Sequence, residues 1–220
     1  MPDAAAVTTL GLYGKLPAHG DFVRRALPKS FVDPWDAWLQ AGMEAARAAL
    51  GGAWEDAWRD GPAWRFALPA GACGPDAVAG VMMPSADSVG RRFPLTLAAV
   101  FAGFGAAPAM EEGWFDSLER LARTGRAGGI DADGLAAALP APAGPATADA
   151  PLRDEVMAIL DGDQVPVPEA CEGEEASGCF PERPAAGWWT LGGGRLPAMV
   201  WEIGALPAPE EFTMLLDVPP

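Results

Sequence analysis

The chain has 220 residues, half of them hydrophobic, with nine tryptophans and a formal net charge of −15. That is enough apolar material for one folded domain with an appendage, which excludes wholesale disorder. The acidity is lopsided, because residues 1–104 hold ten acidic against nine basic side chains and residues 105–220 hold twenty against six. A chain of this charge repels phosphate backbones and anionic lipid head groups, so binding to nucleic acid and insertion into a membrane are not expected.

In chain order, Thr8 to Tyr13 reads as a strand that ends at Gly14. A helix is predicted from near Pro34, with Asp33 as its cap, Pro34 at its first position and Asp36 against the positive end of its dipole. Trp35, Trp38, Leu39, Met43, Ala46, Ala49 and Leu50 recur at helical spacing and form one apolar stripe. Gly51-Gly52 stops it, and Trp54 to Arg59 adds one further turn. Trp64 to Leu68, Val78 to Met83 and Leu95 to Phe101 read as strands, each bounded by Gly or Pro. Ala109 to Arg123 reads as a helix with Met110, Trp114, Leu118 and Leu121 on one face, its acids first and its arginines last.

The texture then changes. Leu139 to Pro151 is a Pro/Ala linker, Leu152 to Leu160 a short helix, and Asp163 to Gly187 an acidic loop expected to be mobile. Trp188 to Leu191, a turn at Gly192 to Gly194, and Ala198 to Ile203 predict a hairpin, followed by a helix from Pro209 to near Leu216. The expected fold is α/β (α+β), with a mixed, mainly antiparallel central sheet of five to six strands flanked by helices. Residues 1–138 form the main domain, 139–186 the linker and acidic segment, and 187–220 a hairpin and helix packed on the same domain.

The chain carries little recognisable catalytic chemistry. His19 is the one histidine; Asp21 and Ser85 are its conceivable partners, but Ser85 sits in Met-Pro-Ser-Ala-Asp without a Gly-x-Ser-x-Gly elbow. Gly11-Leu-Tyr-Gly-Lys15 lacks the spacing and the Ser/Thr of a phosphate loop. Cys73, Cys171 and Cys179 make no Cys-x2-4-Cys pair for zinc, and a Cys171–Cys179 disulfide would need an oxidising compartment. Glu169, Glu172, Glu174 and Glu175 read as a solvated charge run rather than a cation site. No catalytic residue, metal or cofactor is therefore expected. With no long apolar run and no basic, apolar N-terminal leader, the expected location is the cytoplasm.

Two features are less ordinary. Adjacent Trp188 and Trp189 cannot enter the same core layer from one strand, so one belongs to a second packed face or to an interface. The pairs Arg24-Arg25 and Arg91-Arg92 lie in two dense loops, and guanidinium forks suit carboxylate or phosphate groups of a partner.

The residues of those loops carry a resemblance. Gly11-Leu-Tyr-Gly-Lys-Leu-Pro, Gly20-Asp-Phe-Val-Arg-Arg and Phe31-Val-Asp-Pro-Trp-Asp-x-Trp-Leu39 are similar to the N-terminal signature of the TagF (ImpM) family, associated with bacterial type VI secretion. Trp64-Arg-Phe-x-Leu-Pro-x-Gly71 and Met83-Pro-Ser-x-Asp-x-Val-Gly-Arg-x-Phe-Pro-Leu-Thr-Leu97 continue the match, and Trp188-Trp-Thr-Leu-Gly192 with Gly204-x-Leu-Pro-x-Pro209 follows it more loosely. The resemblance implies a non-enzymatic accessory protein that restrains secretion after translation by binding the forkhead-associated scaffold protein of that system. It brings no catalytic residues. The contact candidates are Lys15, His19, Asp21, Arg24, Arg25, Ser85, Asp87, Arg91 and Arg92. The rival readings are a small hydrolase or phosphate-handling enzyme using His19, Asp21 and Ser85, and a structural subunit of the secretion machine.

Overall fold

The computed structural model describes residues 8–142, 184–194 and 196–216. Among the described residues, seven strands form one sheet: β1 (Thr8–Gly14), β2 (Val23–Arg25), β3 (Trp64–Leu68), β4 (Ala77–Met83), β5 (Leu95–Phe101), β6 (Gly187–Thr190) and β7 (Met199–Trp201). Their order is β2-β1-β5-β4-β3-β6-β7, and every neighbouring pair is antiparallel. The expected mixed, mainly antiparallel sheet flanked by helices is present, wholly antiparallel among the described strands and with one strand more than anticipated. The extra strand is β2, a three-residue edge in which Val23 is buried and Arg24 exposed. Two consecutive arginines hide so short an alternation from sequence pattern alone.

Both faces of the sheet are covered. Helix α1 (Lys29–Leu50), helix α2 (Trp54–Asp60) and a 3-10 helix (Pro209–Leu215) pack on one face, with Trp35, Trp38, Trp58 and Phe212 against Phe66, Val78, Met82 and Trp188. Helices α3 (Glu112–Arg126) and α4 (Ala132–Ala137) cover the other, with Trp114, Phe115, Leu118 and Leu135 against Ala79, Val81, Leu97 and Trp189. This is why β3, β4 and β5 are buried at every position and show no polar alternation. Trp188 and Trp189 divide between the two layers, so both are core: Trp188 stacks on Trp35 with centroids 5.8 Å apart, and Trp189 meets Phe115 edge-on at 4.8 Å.

Helix α1 begins at Lys29, five residues before the predicted start. The amides of Phe31 and Val32 both donate to the carbonyl of Pro28, and burial of Phe31 and Val32 draws this turn into the core. Pro34 consequently sits inside the helix and deprives the Ser30 carbonyl of its intrahelical donor. Gly51, at φ +50°, ends the helix as its sequence predicts. Helix α3 begins at Glu112 and runs to Arg126, shifted three residues from the predicted span, while α4 lies in a region where no element was predicted. The helix predicted over 152–160, nearly all of the linker and acidic loop, Cys171 and Cys179 lie outside the described residues.

Candidate functional site

The register of the sheet brings the two dense loops together. In β1–β5 pairing Gly14 faces Leu95, and in β4–β5 pairing Met83 also faces Leu95. The chain leaving β1 and the chain joining β4 to β5 therefore emerge at the same end of the sheet.

A buried ion pair clasps them. Lys15 Nζ donates to Asp87 Oδ2 at 2.8 Å, with the two residues only 5% and 4% exposed. Asp87 Oδ2 also accepts from Arg91 Nε at 2.7 Å, while Oδ1 accepts from the amides of Arg91 at 2.8 Å and Val89 at 3.1 Å. Burial by itself would raise the pKa of this carboxyl. The hydrogen bonds from Lys15, Arg91 and Val89 outweigh it and hold the group well below the usual carboxylate range. Ser85 Oγ donates to the Lys15 carbonyl at 2.8 Å, the Ser88 amide donates to the His19 carbonyl at 2.8 Å, and Arg91 donates to the Gly20 carbonyl. Trp58 Nε1 donates to the Ser85 carbonyl at 3.0 Å and ties α2 to the same point.

The nine candidate residues thus converge on one end of the molecule, but they do not all face outward. Lys15, Ser85 and Asp87 are interior and join the loops to each other. Arg91 is exposed yet committed to Asp87 and Gly20, Arg92 pairs with Glu55, and Arg25 pairs with Asp133 of α4 at 2.6 Å. Asp21 accepts from the Phe22 amide at 2.8 Å. Arg24 is exposed on the edge strand.

His19, Asp21 and Ser85 do not assemble into a proton relay. His19 Nε2 accepts the amide of Ala132, the first residue of α4, at 3.0 Å, and Ser85 Oγ is turned to the Lys15 carbonyl. No group of three or more metal-ligating side chains is found among the described residues, and no described helix is long and apolar enough to cross a membrane.

Sequence reasoning missed the apolar part of this surface. Phe22 is 45% exposed and Val89 71%, one from each loop. Phe22 is held in place against Tyr13 at 6.0 Å and Phe93 at 4.8 Å, with the Lys15 ammonium 4.8 Å from its ring centre. Arg65, which the strand pattern alone marks as odd, was also missed. Its neighbours Trp64 and Phe66 point to the α1 face, so Arg65 points to α3, where it bonds Glu119 at 2.9 Å, Asp116 at 2.7 Å and Glu112 at 3.0 Å. The spacing of those acids on α3 was the available signal.

Residues 11–141 match the model of the TagF N-terminal domain, type VI secretion system-associated. The fold is similar to the crystal structure of PA0076 from Pseudomonas aeruginosa PAO1, with 34% sequence identity and a TM-score of 0.71 over 95% of this chain and 94% of that one. No curated protein matches the sequence. A family match over more than half the chain, seated on the elements that form the clasped loops, places it: the chain belongs to the type VI secretion-associated TagF family.

Proposed function

We propose that this protein is a non-enzymatic cytoplasmic regulator that represses type VI secretion after translation by binding the forkhead-associated scaffold protein of the system. The observation that carries this reading is the pair of loops fixed to each other by Lys15–Asp87, which presents Phe22, Val89 and Arg24 to solvent. A surface held rigid in advance loses little conformational entropy on binding. Exposed aromatic and arginine side chains set beside one another are the usual anchors of protein interfaces. The hydrolase reading is weaker, because Nε2 of the single imidazole already accepts a backbone N–H and Ser85 is turned away from it.

The test is the pair of substitutions Arg24→Glu and Val89→Asp in the native host. Both side chains are exposed and neither makes a hydrogen bond or ion pair among the described residues, so the fold and its melting temperature are expected to stay unchanged. The double variant is expected to lose co-precipitation of the scaffold and to release secretion. If it still represses secretion and still brings down the scaffold, this surface is not the contact.

A further inference from the structure

Two clefts flank Arg92 on the side of the loops that faces α1 and α2. One, of about 320 Å³, lies between α2 and the paired loops and is lined by Pro17, Trp58, Pro84, Arg92 and Arg126 among others. The second, of about 470 Å³, runs along the outer side of α1 past Gln40, Met43, Glu44 and Arg47 to Arg92 and Phe93. Arg92 is a wall common to both.

We propose that these clefts form one groove that receives an acidic, extended segment of a partner protein, anchored at Arg47 and Arg126. The lining carries Arg47, Arg59, Arg92 and Arg126 against Glu44 and Glu55, and most of that charge is compensated locally. Arg92 is paired with Glu55, and Arg59 with Asp56 and Asp60. Arg47 and Arg126 have no carboxylate at ion-pair distance among the described residues. Arg47 lies over the Trp54 ring, 5.3 Å from its centre, and Arg126 donates only to the carbonyl of Arg59. Arg126 is half-buried, and burial together with the nearby Arg123 lowers its pKa against the opposing pull of Asp60; an arriving carboxylate would offset the lost solvation with a charge-assisted hydrogen bond.

Between the anchors Met43 and Pro17 are the partly exposed apolar side chains, over a floor of buried Trp58, Pro84 and Phe93. The occupant is a peptide rather than a nucleic acid for a physical reason. Glu44 and Glu55 interrupt the positive surface, which suits spaced carboxylates and opposes a continuous run of phosphates. The inference rests on the reading of this protein as one that binds a protein partner, but it uses a different surface from Phe22, Arg24 and Val89.

The experiment is a fluorescence-anisotropy titration of the full chain with a short labelled peptide alternating Glu and Leu, against the same peptide with Gln for Glu. The Glu peptide is expected to bind at physiological salt, more weakly as salt rises, and at least about tenfold more tightly than the Gln peptide. Arg47→Glu with Arg126→Glu is expected to lower affinity by at least about tenfold again, with Arg47→Gln and Arg126→Gln used if the reversal impairs folding. Arg24→Glu with Val89→Asp should leave peptide affinity unchanged, so that failure of the groove and failure of the loop surface are read separately. Equal binding of the two peptides, wild-type affinity in the Arg47/Arg126 variants, or displacement of the peptide by equimolar inorganic phosphate would overturn the proposal.

Discussion

Replacing Arg65 by methionine removes a guanidinium that bonds three carboxylates of α3 from inside the sheet. Its side chain is 2% exposed, whereas those of Glu112 and Asp116 are 51% and 47% exposed and Glu119 only 11%. Without Arg65, the first two acids return to water at little cost. Glu119 is left in the interior with Arg123, whose guanidinium stays at 2.6 Å. Breaking a buried ion pair by removing one partner costs about 3–5 kcal/mol, and the surviving Arg123 contact places this case at the lower end, about 3 kcal/mol. For a chain of this length each kcal/mol shifts the melting temperature by about 2–4 °C, so a fall of about 6–12 °C is expected. Urea unfolding followed by circular dichroism measures the free energy directly, with an unchanged denaturant slope confirming that the native state is intact. The double variant Arg65→Met/Glu119→Met removes both charges and should recover to within about 1 kcal/mol of wild type. A single variant within about 0.5 kcal/mol of wild type, or a double variant no better than the single, would refute the argument that the penalty arises from the stranded Glu119.

The remaining expectations concern other joints of the fold. A methyl group at Gly42 would lie 2.3 Å from Phe212 Cδ2, so Gly42→Ala should destabilise by about 1–3 kcal/mol of overpacking, less about 1 kcal/mol gained in helix propensity, measured by thermal melting. If it stabilises, the close docking of the 3-10 helix on α1 is wrong. Because the Asp87 carboxyl titrates below its unfolded value of about 4, its contribution is present above that pH and fades as pH falls through the folded value. The gap in melting temperature between wild type and Asp87→Asn should therefore be widest near neutrality and shrink below about pH 4; a constant gap would contradict the assignment. Ala26 is held at φ +61° in the tight turn from β2 to α1, and Ala26→Gly should raise stability by up to about 1 kcal/mol in the same melts. His19→Ala should cost about 1 kcal/mol and speed hydrogen exchange at the Ala132 amide, whose acceptor it removes.

How much of this was legible in the sequence depended on whether the deciding interaction was local. Hydrophobic period, prolines and glycines located six of the seven strands and the main helices, because each signal acts within a few residues of itself. The start of α1 was misplaced because the preference for Pro34 at a first helical position is worth less than burying Phe31 and Val32 in the core. The candidate site was legible as two loops rich in charge and glycine. Which of their side chains face outward was not, since that follows from pairing across 72 positions of sequence between Lys15 and Asp87.

The sequence by itself therefore determined the family and the order of the main elements, without the short β2 and α4. Both are written in local runs such as Gly11 to Leu39 and Met83 to Leu97. The tertiary structure alone decided that Lys15, Ser85 and Asp87 turn inward while Phe22, Arg24 and Val89 turn out, and that Arg47, Arg92 and Arg126 meet around shared clefts. The physical reason is the register of β1, β4 and β5. Stacking Gly14, Leu95 and Met83 side by side brings distant loops to one end of the sheet, where burial forces a lysine and an aspartate to find each other.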